Sequence, residues 1–283
     1  MLLAATALPV AAEGGAGARI AQTTIAASDF GDGRLRGRDH SVELWSPTWR
    51  FANGELRVGI DYAYTRFEYS GLDSRNRDLH RLALPLSWTG DGAHIWHVGI
   101  TPQVATSSNV FKDFFSRGSG RDIDLHGQVY LERPAIPGQP GWRLGLARDD
   151  VFGRPLVYPQ VTRTFRGEAF QAELGWPRSR LDWHAGGALR LGAQVAPAGA
   201  RWHVVSDERD GARFHYRQRA WRAGLDGEWR LRDWLSAGAV AGLEFGRRHR
   251  FEDDLGASID RRAVSAPFLG FEMRSGAPAA PRR

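Results

Sequence analysis

Cysteine is absent from this 283-residue chain. Its absence excludes disulfide staples, thiolate nucleophiles and cysteine-ligated zinc. Lysine is almost absent as well: Lys112 stands alone, so nearly all of the positive charge is guanidinium. No apolar run approaches the ~20 residues of a membrane-spanning helix, which excludes helical membrane proteins. A strand-built barrel remains open, because each of its strands needs only one apolar face over ~10 residues. Also missing is any sustained 3.6-residue apolar stripe, the mark of amphipathic helices. Glycine, with 34 residues, and tryptophan, with 11, are plentiful. The formal net charge of +6 suits either an anion-binding surface or simply a GC-rich genome that writes arginine for lysine.

The first residues, Met1-Leu2-Leu3-Ala4-Ala5-Thr6-Ala7-Leu8-Pro9-Val10-Ala11-Ala12, form an apolar stretch closing on small residues. That is the core and cleavage-site pattern of an export signal, without the usual basic start. The expected organisation is a signal remnant over 1–17, one β-barrel over 18–273 and a disordered tail over 274–283.

Beyond residue 18, side chains change character at every step, which is the period of a strand. Leu56, Val58, Ile60, Tyr62 and Tyr64 share one face, against Arg57, Gly59, Asp61, Ala63 and Thr65. Ile123, Leu125, Val129 and Leu131 oppose Asp122, Asp124, His126, Gln128, Tyr130 and Glu132. The same alternation carries Leu82, Leu84, Leu86 and Trp88, then Trp221, Ala223, Leu225 and Trp229. One short helix is expected over 109–116, around Phe111, Phe114 and Phe115. The chain reads as all-β.

A soluble sandwich buries large aliphatic side chains between two sheets and wets the remaining faces. Here the polar faces mix glycine and alanine with Arg, Asp, Glu and Gln, as a crowded polar lumen would. Several strands also exceed the 5–6 residues usual in globular proteins. Strands over 18–28, 41–51, 55–69, 78–88, 93–105, 121–133, 141–149, 155–165, 169–176, 179–185, 188–205, 212–230, 234–247 and 261–273 make fourteen. The count falls to twelve if 179–185, too short to cross a bilayer, belongs to a bulged connection. Short connections at 52–54, 89–92, 134–140, 166–168 and 231–233 contrast with long charged ones at 29–40, 70–77, 106–120 and 248–260. Transmembrane barrels have such short periplasmic turns and longer external loops. Trp49, Trp88, Trp96, Trp142, Trp229 and Trp234 flank the short turns, as an interfacial aromatic girdle does. The expected fold is a single antiparallel up-and-down transmembrane β-barrel.

The run Leu144-Gly145-Leu146-Ala147-Arg148-Asp149-Asp150-Val151-Phe152-Gly153-Arg154-Pro155-Leu156-Val157-Tyr158-Pro159 places an acidic-aromatic-Gly-x-Pro loop before a strand. With the later Leu174-Gly175-Trp176-Pro177-Arg178, it resembles a family of uncharacterised Gram-negative outer-membrane β-barrel proteins. That resemblance implies the fold and an outer-membrane location over nearly the whole mature chain, and no reaction or cofactor. The ending Phe268-Leu269-Gly270-Phe271-Glu272-Met273 resembles the signal read by barrel-assembly machinery. That signal normally finishes on an aromatic terminal residue, whereas here residues 274–283 follow.

If the apolar faces meet lipid, Arg57, Asp61, Arg81, Asp122, Asp124, His126, Arg143, Arg190, Arg222, Asp226, Glu228 and Glu244 point into the lumen. They either select solutes by charge or pair with one another and plug the barrel, since unpaired charge in a narrow lumen is costly. The spacing of Asp122, Asp124 and His126 at i, i+2, i+4 would let all three reach one point, for a metal or a hydrolytic site. A lumenal hydrogen-bond network is the simpler expectation. Arg34-Leu35-Arg36-Gly37-Arg38 and Arg247-Arg248-His249-Arg250 are placed in external loops or at their edges, where guanidinium groups could pair with lipopolysaccharide phosphates. The aromatics lie on the apolar faces, so nucleic acid is not an expected partner.

The leading expectation is a passive outer-membrane pore or structural surface protein of a Gram-negative bacterium, touching outer-membrane lipid and lipopolysaccharide. A lipid- or lipopolysaccharide-modifying barrel enzyme using His126 or His203 is the second. A soluble exported β-sandwich binding carbohydrate is the third.

Overall fold

The computed structural model describes residues 15–51, 53–71, 77–184, 187–206, 212–254 and 256–276. The expected signal stretch up to residue 14, and the tail beyond 276, lie outside the described residues. Among those described, no helix is long and apolar enough to cross a membrane.

The strands are β1 (Gly17–Phe30), β2 (Gly33–Trp45), β3 (Trp49–Phe51), β4 (Gly54–Ser70), β5 (Arg77–Ala83), β6 (Leu86–Gly90), β7 (Ile95–Ser107), β8 (Ile123–Arg133), β9 (Gly141–Asp149) and β10 (Leu156–Arg166). They continue with β11 (Phe170–Trp176), β12 (Ser179–His184), β13 (Leu189–Pro197), β14 (Ala200–Ser206), β15 (Ala212–Arg232), β16 (Leu235–Asp253), β17 (Ser258–Arg262) and β18 (Ala266–Gly276). Four neighbouring segment pairs, β2–β3, β5–β6, β13–β14 and β17–β18, each form one interrupted stave, which leaves fourteen antiparallel staves in sequence order. The first stave pairs with the last, from Gly17 opposite Gly276 to Ile25 opposite Phe268, so the sheet closes on itself. The short β12 is a genuine stave, paired with β11 and β13.

Closure decides which way the alternation faces. Leu44, Ile60, Leu82, Leu125, Leu146, Leu174, Leu225 and Phe271 are all exposed on the outer wall, while their charged strand neighbours turn inward. An outward band of this kind is unfavourable in water but matches hydrocarbon. The two stacked sheets of a soluble sandwich do not occur. Trp49, Trp96, Trp229 and Trp234 are exposed on this wall near the end where Gly17 faces Gly276, and Trp88 and Trp142 are half-buried there.

Two connections differ from the sequence expectation. Residues 29–40 and 248–260 are not long loops: β1 and β2 meet through a turn at residues 31–32, and β16 runs to Asp253 before β17 begins at Ser258. Both arginine-rich segments are therefore strands. Their outward arginines resemble loop charge, but the opposite faces carry Leu35, Asp39 and His249, which are buried. Gly246, at φ 62°, sits where the β15–β16 register shifts. This bulge turns Arg247 inward and Arg248 outward. The expected single helix is two short ones, α1 (Ser108–Lys112) and α2 (Phe114–Arg117), followed by a 3₁₀ turn at Gly120–Asp122.

The tall staves stand well above the short β11–β12 wall. At Ala198-Gly199 the β13–β14 stave leaves the line of β12, and β14 crosses to β7. His203 is bridged to Thr106, Thr106 donates its hydroxyl to the His203 carbonyl at 2.8 Å, and Asn109 donates to the Val205 carbonyl at 2.8 Å. Above the main barrel, β14, β15, β16, β17, β1, β2, β4, β5 and β7 thus enclose a narrower upper ring.

Candidate functional site

The upper ring is filled by apolar side chains. Phe30, Leu35, Phe67, Leu79, Trp202, Val204 and Tyr216 form one buried cluster. Phe67 of β4 meets Trp202 of β14 at 6.3 Å and Tyr216 of β15 at 5.6 Å between ring centroids. Trp202 and Tyr216 stack at 5.6 Å. These rings come from opposite sides of the ring of strands, so they cap the barrel axis.

Directly beneath lies a buried ion cluster. Arg222 Nε donates to Glu244 Oε2 at 2.7 Å, and its Nη2 reaches Asp39 Oδ2 at 3.2 Å. Arg247 Nε donates to the other Glu244 oxygen at 2.9 Å. None of these four side chains is more than 4% exposed. Asp39 and Arg222 belong to strands that are not neighbours in the wall, so their contact also spans the lumen.

Below the cap, charges line the wall in alternating pairs. Arg190 bonds Asp182 and reaches Glu228 at 2.6 Å and Asp226 at 3.4 Å, while Arg180 donates to Asp226 at 2.8 Å. Arg143 lies 3.3 Å from Glu132 and 3.7 Å from Glu173. Arg19 bridges Glu43 at 2.7 Å and Glu272. Asp61 lies among Glu43, Arg81 and Arg19, and Arg57 donates to the Gly15 carbonyl at 3.1 Å. Most of these desolvated charges have an opposite neighbour, which is the arrangement a confined lumen requires.

Asp122, Asp124 and His126 do not converge. Asp122 lies in the 3₁₀ turn before β8, so the strand spacing does not apply to it, and its carboxylate stands 3.3 Å from His203 Nδ1. Asp124 reaches Arg201 at 3.7 Å. His126 Nε2 meets Gln103 at 3.0 Å and Asp150 at 3.8 Å. Among the described residues, no three His, Asp or Glu side chains gather as a metal set. The Asp122–His203 pair has the outline of a catalytic dyad, but the other His203 nitrogen faces the Arg201 guanidinium at 3.5 Å. A cation there opposes the proton transfer a general base would perform.

Asp150 escaped the sequence reading, although it lies in the acidic-aromatic loop already singled out. It is fully buried, accepts the Arg201 backbone N–H at 3.0 Å and stands 4.0 Å from Arg81. Its loop closes the wall above β11–β12: Gly199 N–H donates to the Val151 carbonyl at 2.6 Å. Phe152 of the same loop stacks on Trp176 at 5.6 Å. Behind it is a cavity of about 70 Å³ lined by residues including Tyr130, Arg143, Tyr158 and Glu173.

The closed sheet with an apolar exterior and an ion-paired interior decides the class. The chain is an outer-membrane-type β-barrel. No family model matches it, and no curated protein matches it. Among solved structures it is similar to a TodX deltaS2S3 mutant monoaromatic hydrocarbon channel, at 10% identity and TM-score 0.43, covering 96% of this chain and 92% of that one. It is similar also to the Pseudomonas putida toluene transporter TodX, at 8% identity and TM-score 0.40, covering 93% and 89%. The beta domain of the Bordetella autotransporter BrkA shares 13% identity at TM-score 0.36, covering 92% and 98%.

Proposed function

We propose that the protein sits in the outer membrane of a Gram-negative bacterium as a passive barrel held shut along its axis. Its charged lumen faces the periplasmic end, and its apolar cap faces outward. The observation that carries this reading is the Phe67–Trp202–Tyr216 cluster spanning the upper ring over the Asp39–Arg222–Glu244–Arg247 cluster. An ion would have to enter an apolar plug and disrupt buried pairs, which costs several kcal/mol per charge. The outward faces of Leu269, Phe271 and Met273 on β18 support recognition by barrel-assembly machinery during insertion.

Planar-bilayer recording tests this. The folded, heat-modifiable protein should give no steady single-channel openings. Regular openings from the unmodified chain would contradict a shut axis.

A further inference from the structure

The outward faces of β15, β16 and β17 carry like charges directly opposite one another. Arg217 pairs in register with Arg250, Arg219 with Arg248, and Arg248 with Arg262. Facing cations on neighbouring strands are destabilising, so this surface lowers stability unless something anionic covers it. Two carboxylates relieve part of it. Glu252 lies 3.4 Å from Arg217 and 3.2 Å from Arg250, and Asp260 accepts from Arg248 Nε at 2.7 Å. The bonded Arg248 guanidinium holds the Asp260 carboxyl below the usual carboxylate range. Five arginines against two carboxylates leave an excess of positive charge. Arg219 and Arg262 are both exposed and make no ion pair with a described residue.

The height of the patch identifies the anion. On β16 the outward residues from Leu235 to Phe245 are apolar or small. Ten residues at ~3.3 Å each, tilted by ~40°, rise about 25 Å, the height of a barrel's hydrocarbon band. On β15, Trp221 faces Phe245 at the top of that band. The next outward pair is Arg219 and Arg248, one step above the hydrocarbon and at the end remote from Gly17 and Gly276. That step is the headgroup layer of the outer leaflet.

We propose that this arginine patch binds the phosphate groups of lipopolysaccharide; the proposal rests on the reading of the chain as an outer-membrane barrel. Guanidinium groups grip phosphate through two parallel hydrogen bonds. The patch holds them at strand spacing on a rigid sheet, so little ordering is needed on binding.

The test uses the full chain refolded in detergent, wild type and the double variant R219E/R250E. Both changes are at solvent-facing positions, and heat-modifiable mobility reports whether each protein is folded. The probes are phosphorylated lipopolysaccharide, the same material after phosphatase treatment, and inorganic phosphate. The wild type should bind phosphorylated lipopolysaccharide about tenfold or more tightly than the variant. Phosphatase treatment should erase that difference. R219Q/R250Q, which removes charge without reversing it, should fall between the two. Equal binding by folded wild type and variant overturns the proposal, as does indifference to phosphatase. Inorganic phosphate competing as well as the lipid would also overturn it, since the site would then serve a soluble anion. Failure of the wild type to enter detergent micelles or show heat-modifiability would instead overturn the barrel reading.

Discussion

Replacing Glu244 by alanine is expected to destabilise the folded barrel by about 3–5 kcal/mol, the cost of leaving buried charge without its counter-ion. Glu244 is fully buried and holds both Arg222 and Arg247. Its loss takes one of two carboxylates from Arg222, which keeps Asp39, while Arg247 keeps neutral partners in Ser28 and the Val264 carbonyl. Denaturant unfolding in detergent measures the effect. Glu252→Ala, which removes a carboxylate from a solvent-facing pair, should cost under about 1 kcal/mol. A loss at position 244 as small as at 252 would mean that water reaches the cluster and that the lumen is not sealed there.

The second large effect is expected at the cap. Truncating Trp202 and Tyr216 to alanine removes two stacked rings from the middle of the upper ring. Each large-to-small change costs about 3–5 kcal/mol if the cavity does not collapse. The closed backbone ladder should still fold, and the double variant should gain steady openings in planar bilayers where the wild type has none. Trp202→Ala alone is the milder version and should open briefly and rarely. A folded, heat-modifiable double variant that stays silent would place the barrier elsewhere, in the ion cluster beneath.

Much of this architecture was legible in the residues because a strand's period is short and unambiguous. Leu56 to Tyr64 and Ile123 to Leu131 state their faces outright, and most staves fall within about three residues of the expected spans; the second, which already begins at Gly33, and the thirteenth, which runs on to Asp253, do not. The upper ring was not legible. Arg34, Arg36 and Arg38, like Arg248 and Arg250, present charge on the outer face above the hydrocarbon, and a strand with one charged face and one mixed face resembles a loop. Its inward face makes sense only against a partner more than a hundred residues away, as when Asp39 meets Arg222 or Phe67 meets Trp202. The Asp122, Asp124 and His126 set failed for a local reason: a capped 3₁₀ turn ends before Ile123, so strand spacing does not reach Asp122. The crossing of β14 to β7 has no local signature beyond Ala198-Gly199, where the absence of side-chain bulk lets the chain approach Val151 closely.

The central claim is that neighbouring residues on one stave face opposite worlds, hydrocarbon and enclosed charge. The absence of native cysteine allows a spin label at a single introduced thiol, at Leu225→Cys or at Asp226→Cys in β15, with the protein in lipid vesicles. Relaxation by membrane-dissolved oxygen should be strong at 225 and weak at 226, and relaxation by a water-soluble nickel chelate should show no preference for 225. A label at 225 that responds to the chelate rather than to oxygen would put the apolar face in water and contradict the account.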